Sequence, residues 1–96
     1  MLDKMKQLWQ MQKKMQELKR ELERTTFEVA SQDGLVKVGM NGSQELQCVT
    51  LAPLEGVDKA RLEKAVKEAV TRAIKRSQEI AAQKMKQISG LNLPGL

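Results

Sequence analysis

From Leu2 to Arg24 the chain has no Gly or Pro, and Leu8, Met11, Met15, Leu18 and Leu22 follow one another at spacings of 3, 4, 3 and 4. This spacing is the a/d seam of an amphipathic helix. The seam runs for only about two heptads, short of the three or four a free-standing coiled coil needs. It therefore predicts a helix that lays its apolar stripe either on its own domain or on a second copy.

The period then changes. Thr25 to Ser31 alternates, Asp33-Gly34 offers a tight turn, and Leu35 to Met40 alternates again, the signature of two antiparallel strands. Asn41-Gly42 predicts a two-residue type I′ hairpin, since both residue types tolerate positive φ. Leu46 to Leu51 supplies a third strand. One face of the first two strands carries Phe27, Val29, Val36, Val38 and Met40, and the other carries Glu28 and Lys37, so the sheet is expected to be buried on one side only. Pro53 and Gly56 end the third strand, and Asp58 stands at an N-cap position ahead of a long run without Gly or Pro. On that run Leu62, Val66, Ala69, Val70, Ala73, Ile74, Ile80 and Ala81 recur near the helical period and predict the face that covers the sheet.

The expected fold class is α+β, a single domain over residues 1–96 ordered helix, three-stranded antiparallel meander, helix. Its bounds are a helix over 1–26, a sheet over 27–51, a helix over 58–88 and an irregular tail over 89–96. A chain this short buries a small share of its surface. With Trp9 and Phe27 as its only aromatic residues, both read as packing groups, it builds a thin core that a second subunit would supplement.

Charge sharpens the picture. The net charge is +5, distributed as +3 over residues 1–24, −3 over 25–57 and +5 over 58–96. The excess sits on the helices and suits a polyanionic partner. Candidate chemistry is sparse. The chain has no His and one Cys, so it lacks the usual general base and the residues of a zinc site. No phosphate-cradling Gly motif is present. Cys48 lies in a strand with no cation beside it in sequence and reads as structural. No enzymatic activity, cofactor, metal or small-molecule substrate is expected. The N-terminus shows no apolar leader-like stretch and no segment is long enough to span a bilayer, so a cytoplasmic protein with no membrane partner is expected.

What remains is basic helix surface. Lys6, Lys13 and Arg20 recur every 7 residues opposite the apolar seam, about 10 Å apart along the axis, with Lys14 and Arg24 placed to widen the stripe. On the second helix Arg61, Lys64, Arg72, Lys75 and Lys86 share the outer side, interrupted by Glu68 and Glu79. Glu63 with Lys67 and Glu68 with Arg72 are spaced as favourable pairs. A row of cations can follow a phosphate backbone. The scarcity of aromatic stacking platforms favours double-stranded over single-stranded DNA, and no helix-turn-helix, zinc-finger or RNP pattern for base readout is visible. The DNA-binding candidates are Lys6, Lys13, Lys14, Arg20, Arg24, Lys64, Arg72 and Lys75.

The order helix, three strands, helix, centred on Gly34-Leu35-Val36-Lys37-Val38-Gly39-Met40-Asn41-Gly42, resembles the YbaB/EbfC nucleoid-associated family. The Met- and Gln-rich stretch Leu8 to Met15, the alanine-rich second helix and the ending Gly90-Leu91-Asn92-Leu93-Pro94-Gly95 support the likeness. The resemblance implies a homodimer whose strands join across subunits, helical arms that contact DNA, and a nucleoid location in a bacterium. The competing reading is an adaptor or structural protein whose seam (Leu8, Met11, Met15, Leu18, Leu22) docks another helix without nucleic acid. A membrane-surface role fits less well, because the second helix offers mostly Ala and Val.

Overall fold

The computed structural model describes residues 2–89. Its elements are α1 (Leu2–Arg24), β1 (Thr26–Ala30), β2 (Val36–Asn41), β3 (Leu46–Leu51) and α2 (Lys59–Ser89). The strands form an antiparallel meander in the order β1-β2-β3, as the alternation predicts. The sheet begins one residue ahead of the expected bound, at Thr26. Ser89, expected in the tail, is the last residue of α2, and the remainder of that tail, 90–96, lies outside the described residues.

β2 is the centre of the molecule. Val36, Val38 and Met40 are buried on one of its faces, against Ala65, Ala69 and Ala73 of α2, with Phe27 and Val29 of β1 packed around them. Each fully buried Val contributes about 1.5–3 kcal/mol. Alanine on the facing helix lets α2 approach the sheet closely. The buried line on α2 is Ala65, Ala69, Ala73, Ser77 and Ile80; Val66 and Ile74, expected on the covering face, are exposed. The opposite sheet face is wet, and there Lys37 pairs with Glu28 at 3.6 Å.

The β1–β2 connection keeps the expected tight turn, closed by the Gly34 amide donating to the Ser31 carbonyl at 2.9 Å, whereas the β2–β3 connection departs from the turn expected. Between β1 and β2, the Ser31 amide donates to the Val36 carbonyl at 2.8 Å and Gly34 takes a left-handed φ of 74°. Asp33 organises this loop: its carboxylate accepts from the Leu35 amide at 3.0 Å, the Ser31 hydroxyl at 2.8 Å and Arg61 at 3.3 Å. These donors hold the Asp33 carboxyl below its ordinary range, the Leu35 amide foremost.

Between β2 and β3, Asn41-Gly42 does not form a type I′ hairpin. Asn41 ends β2, and the positive φ falls on Gln44. The Asn41 side-chain oxygen accepts from the Ser43 and Glu45 amides at 3.0 Å each, while its amide nitrogen donates to the Glu23 carbonyl at 3.2 Å and to Glu45 at 2.9 Å. Gly42 is required for proximity and not for φ. Its amide donates to the carbonyls of Leu22 and Thr25, and a Cβ there would stand 3.1 Å from the Leu22 oxygen and 3.2 Å from its Cα.

α2 starts where the N-cap signal places it, with the Arg61 amide donating to the Asp58 carboxylate at 2.7 Å. Its C-terminal half runs antiparallel to α1, and Lys84 meets Glu21 at 3.6 Å. Leu18 of α1 and Ile80 of α2 are both buried, and Leu22 is half-buried. Residues 2–13 of α1 continue past the last described turn of α2, and Leu8, Met11 and, just inside that limit, Met15 are exposed. The molecule is elongated, 68 × 25 × 16 Å.

Gly42→Ala is expected to lower stability by about 2 kcal/mol, because the Leu22 backbone cannot yield to the new methyl; a urea midpoint shifted at constant m would show it. The Asp33 contribution is complete above pH 3.8, the group's ordinary value, and is lost as pH falls below that toward the lower folded value. Thermal melts should therefore show Asp33→Asn less stable than wild type at neutral pH, with the gap closing in strong acid.

Candidate nucleic-acid interface

The helices carry nearly all of the positive charge because the sheet segment is acidic. The cations of the chain fall into two groups. Seven sit in ion pairs among the described residues: Arg24, Lys37, Lys59, Arg61, Arg72, Arg76 and Lys84. The other ten of the 17 Lys and Arg have no carboxylate within 4.0 Å among the described residues. They lie on α1 and α2.

On α1, Lys6, Lys13 and Arg20 form the expected line opposite the apolar seam, all exposed and without ion-pair partners among the described residues. Lys14 and Arg24 do not simply widen it. Both line the cleft between α1 and α2, together with Glu17, Glu21 and Lys84, and Arg24 bonds Glu21 at 2.8 Å. On α2, Lys64, Arg72 and Lys75 come together along one shallow, open cleft with Lys67 and Thr71. Lys67 joins this row although its i,i+4 spacing pairs it with Glu63. In the structure Lys59 takes Glu63, at 3.8 Å, and the expected Glu68–Arg72 pair does form, at 3.7 Å. The 64, 67, 71, 75 spacing carried the signal for a common face.

Arg61 and Arg72 serve the fold. Arg61 reaches Asp33, and Arg72 donates to the Ala30 carbonyl at 2.9 Å while Glu68 accepts from the Gln32 amide. These contacts fix the orientation of α2 on β1 and aim Lys64, Lys67 and Lys75 away from the sheet. Exposed pairs of this kind add little stability singly; their effect here is positional.

A second surface is apolar. α2 lies across β1 and β2 and leaves β3 uncovered, so Leu46, Val49 and Leu51 are exposed, Val49 at 51%. Val49 pairs with Val38 and Leu51 with Val36, which places both on the helix side of the sheet. Arg61, Glu68 and Arg72 mark the β1 side of α2. Val66 and Ile74 therefore face the β3 side, by helical rotation, and extend this exposed apolar strip. β3 is also a sheet edge with unpaired backbone groups. Cys48 lies on the other sheet face, with its sulfur over Gly39, where an added Cβ would stand 2.5 Å from Sγ.

One sequence expectation is corrected outright. Phe27 does pack on the core, but Trp9 does not pack: it is 62% exposed on the cationic side of α1, with the Lys13 ammonium 5.2 Å from the centre of its ring. Among the described residues no helix is long and apolar enough to cross a membrane.

The fold is shared with a crystal structure of an uncharacterized protein from Helicobacter pylori, with a TM-score of 0.76 over 86% of this chain and 89% of that one, at 23% identity. The chain is 39% identical over 95 residues to a nucleoid-associated protein of Caldanaerobacter subterraneus subsp. tengcongensis, covering 95% of this chain and 85% of the relative. It is 42% identical over 90 residues to one of Rippkaea orientalis, covering 91% and 78%. A nucleoid-associated protein of Thermoanaerobacter pseudethanolicus is 36% identical over 94 residues, covering 95% and 85%. The model of the YbaB/EbfC DNA-binding family matches residues 1–91, and with helix, meander and helix in this order and cations ranged along both helices, the chain belongs to that family.

Proposed function

We propose that the chain acts as a homodimer that binds double-stranded DNA mainly through phosphate contacts, with low or modest sequence preference, and without catalysis. The observation that carries this reading is the segregation of charge. The cations with carboxylate partners include those that hold α2 on β1, whereas Lys6, Lys13 and Arg20 on α1 and Lys64, Lys67 and Lys75 on α2, with no carboxylate in reach among the described residues, stand in rows on the outer faces. A surface Lys already neutralised by a neighbour releases few counterions on DNA; an unpartnered one adds fully to phosphate binding. The phosphate contacts are assigned to Lys6, Lys13 and Arg20 on α1 and to Lys64, Lys67 and Lys75 on α2, with Lys14, Arg24 and Arg72 at the margins. The relatives' description as nucleoid-associated supports a nucleoid location in a bacterial cytoplasm.

The dimer is assigned to the β3 side. Its exposed strand edge and the strip formed by Val49, Leu51, Val66 and Ile74 suit pairing of β3 with its copy around a two-fold axis, where one patch meets itself. Such pairing would cover an edge that otherwise invites uncontrolled association and would set two pairs of basic helices at a fixed separation.

The competing adaptor reading rests on the exposed seam residues Leu8, Met11 and Met15. Titration of a labelled duplex across a salt series separates the two. With about six phosphates neutralised per dimer, log affinity should fall against log salt with a slope of roughly −5, at about −0.9 per contact. Replacing Lys6, Lys13 and Arg20 by Gln, or Lys64, Lys67 and Lys75 by Gln, should flatten that slope while leaving the fold intact; salt-independent binding would reject the phosphate reading. Val49→Glu should convert a species sedimenting at twice the 10.8 kDa chain mass to one at the chain mass. A wild type already at the chain mass would reject the dimer.

A further inference from the structure

The placement of Trp9 is unexpected for a chain so poor in aromatic groups. It is the one Trp in the chain, with Phe27 the only other aromatic residue, yet its large apolar ring contributes nothing to the core. A third-turn position on α1 could have put it on the seam; instead it stands on the opposite side, in line with the cations. Its neighbours one turn before and after are Met5, Lys6, Gln12 and Lys13, all exposed. No carboxylate is among them. Lys13 approaches one face of the ring at 5.2 Å, which steadies the indole by a cation–π contact and leaves its other face to a ligand.

We propose that Trp9, flanked by Lys6 and Lys13, is a base-stacking contact, so that the chain binds double-stranded DNA carrying locally unstacked bases more tightly than intact duplex. The proposal rests on the DNA-binding reading above and deepens it. Cations on either side would hold the phosphates while the indole takes the face of a base, the combination used by proteins that grip unpaired strands. In an intact duplex the bases are stacked on one another, so the ring has no such partner unless it wedges between base steps, at the expense of their stacking. Phosphate contact alone would give no such preference, because the cations read charge and not base exposure. The neighbouring Gln12 amide and Met5 thioether offer further contact to an exposed base without imposing a particular sequence.

Since Trp9 is the only Trp, intrinsic fluorescence reports on it alone. The test is a titration of the full chain with three labelled DNAs: an intact duplex, the same duplex carrying an unpaired bubble, and the matching single strand. Label anisotropy and Trp emission are followed together. The bubble should bind more tightly than the duplex and quench Trp9, while the single strand, with one phosphate backbone in place of two, should quench Trp9 without outbinding the duplex. Trp9→Ala should weaken bubble binding about tenfold and change duplex binding by less than about twofold, while Trp9→Phe should keep much of the preference. Equal binding of bubble and duplex, unaltered by Trp9→Ala, would overturn the proposal while leaving phosphate binding in place. A Trp9→Ala chain that sediments at lower mass than wild type would also overturn it, by placing the ring in a contact between subunits. Absence of anisotropy change with any DNA would instead remove the DNA-binding reading itself, and with it this proposal.

Discussion

Three segments meet at Asn41, and the arrangement of the whole chain follows from that junction. The Asn41 side chain caps the loop to β3 and bonds the Glu23 carbonyl near the end of α1. Its backbone carbonyl accepts from the Ser77 hydroxyl of α2 at 2.9 Å, and Ser77 in turn accepts from the Gln44 amide at 3.2 Å. Asn41 and Ser77 are both buried, where an unpartnered polar group costs about 1–3 kcal/mol. Among the described residues no buried side-chain nitrogen or oxygen is left without a partner. Because Gly42 lacks a side chain, α1 comes close enough for the Leu22 carbonyl to receive its amide. The helices can neither slide along the sheet nor rotate on it without breaking several of these bonds together.

That junction turns a thin core into a directional one. The apolar contacts between β2 and the alanine line of α2 provide most of the burial, but hydrophobic contact is not directional and alanine specifies register poorly. The hydrogen-bonded ends supply what the alanines lack: Asn41 and Ser77 at one end of β2, and Asp33, Arg61, Glu68 and Arg72 around the β1–β2 loop at the other. With α2 held at both ends, its outer lysines face solvent in a row and its Val66 and Ile74 face the uncovered β3. Polar fixation of a small core thus decides which surface is charged and which is apolar.

The two surfaces point to two kinds of contact. An edge strand with Leu46, Val49 and Leu51 exposed is a place where another apolar surface belongs. Rows of unpartnered ammonium and guanidinium groups repel one another and gain from a polyanion. The projecting half of α1 combines both characters, with the Leu8, Met11 and Met15 seam on one side and Lys6, Trp9 and Lys13 on the other. A helix with such contrasting sides, extending past the last described turn of α2, is suited to reaching a partner.

The sequence by itself determined the elements and their order, because periodicity and capping are local. Spacings of 3 and 4 gave α1 its length, alternation marked three strands, and Asp58 set the start of α2. The resemblance carried by the Gly34 to Gly42 stretch identified the family, and the seven-residue recurrence of Lys6, Lys13 and Arg20 was legible as a stripe. Tertiary structure decided what depends on neighbours distant in the chain. Asn41-Gly42 reads locally as a tight hairpin, yet Leu22 and Ser77, which come from both helices, draw it into a junction. Trp9 reads as core because large apolar rings usually are, but it stands on the side of α1 opposite the seam, where no other described element packs on it. Whether a lysine is free or neutralised turns on which carboxylate folding brings within reach: Lys59 takes Glu63 and leaves Lys67 open, and Arg61 is taken up by Asp33, 28 residues away. Local pattern sets the faces of each element; only packing settles which faces are left for a partner.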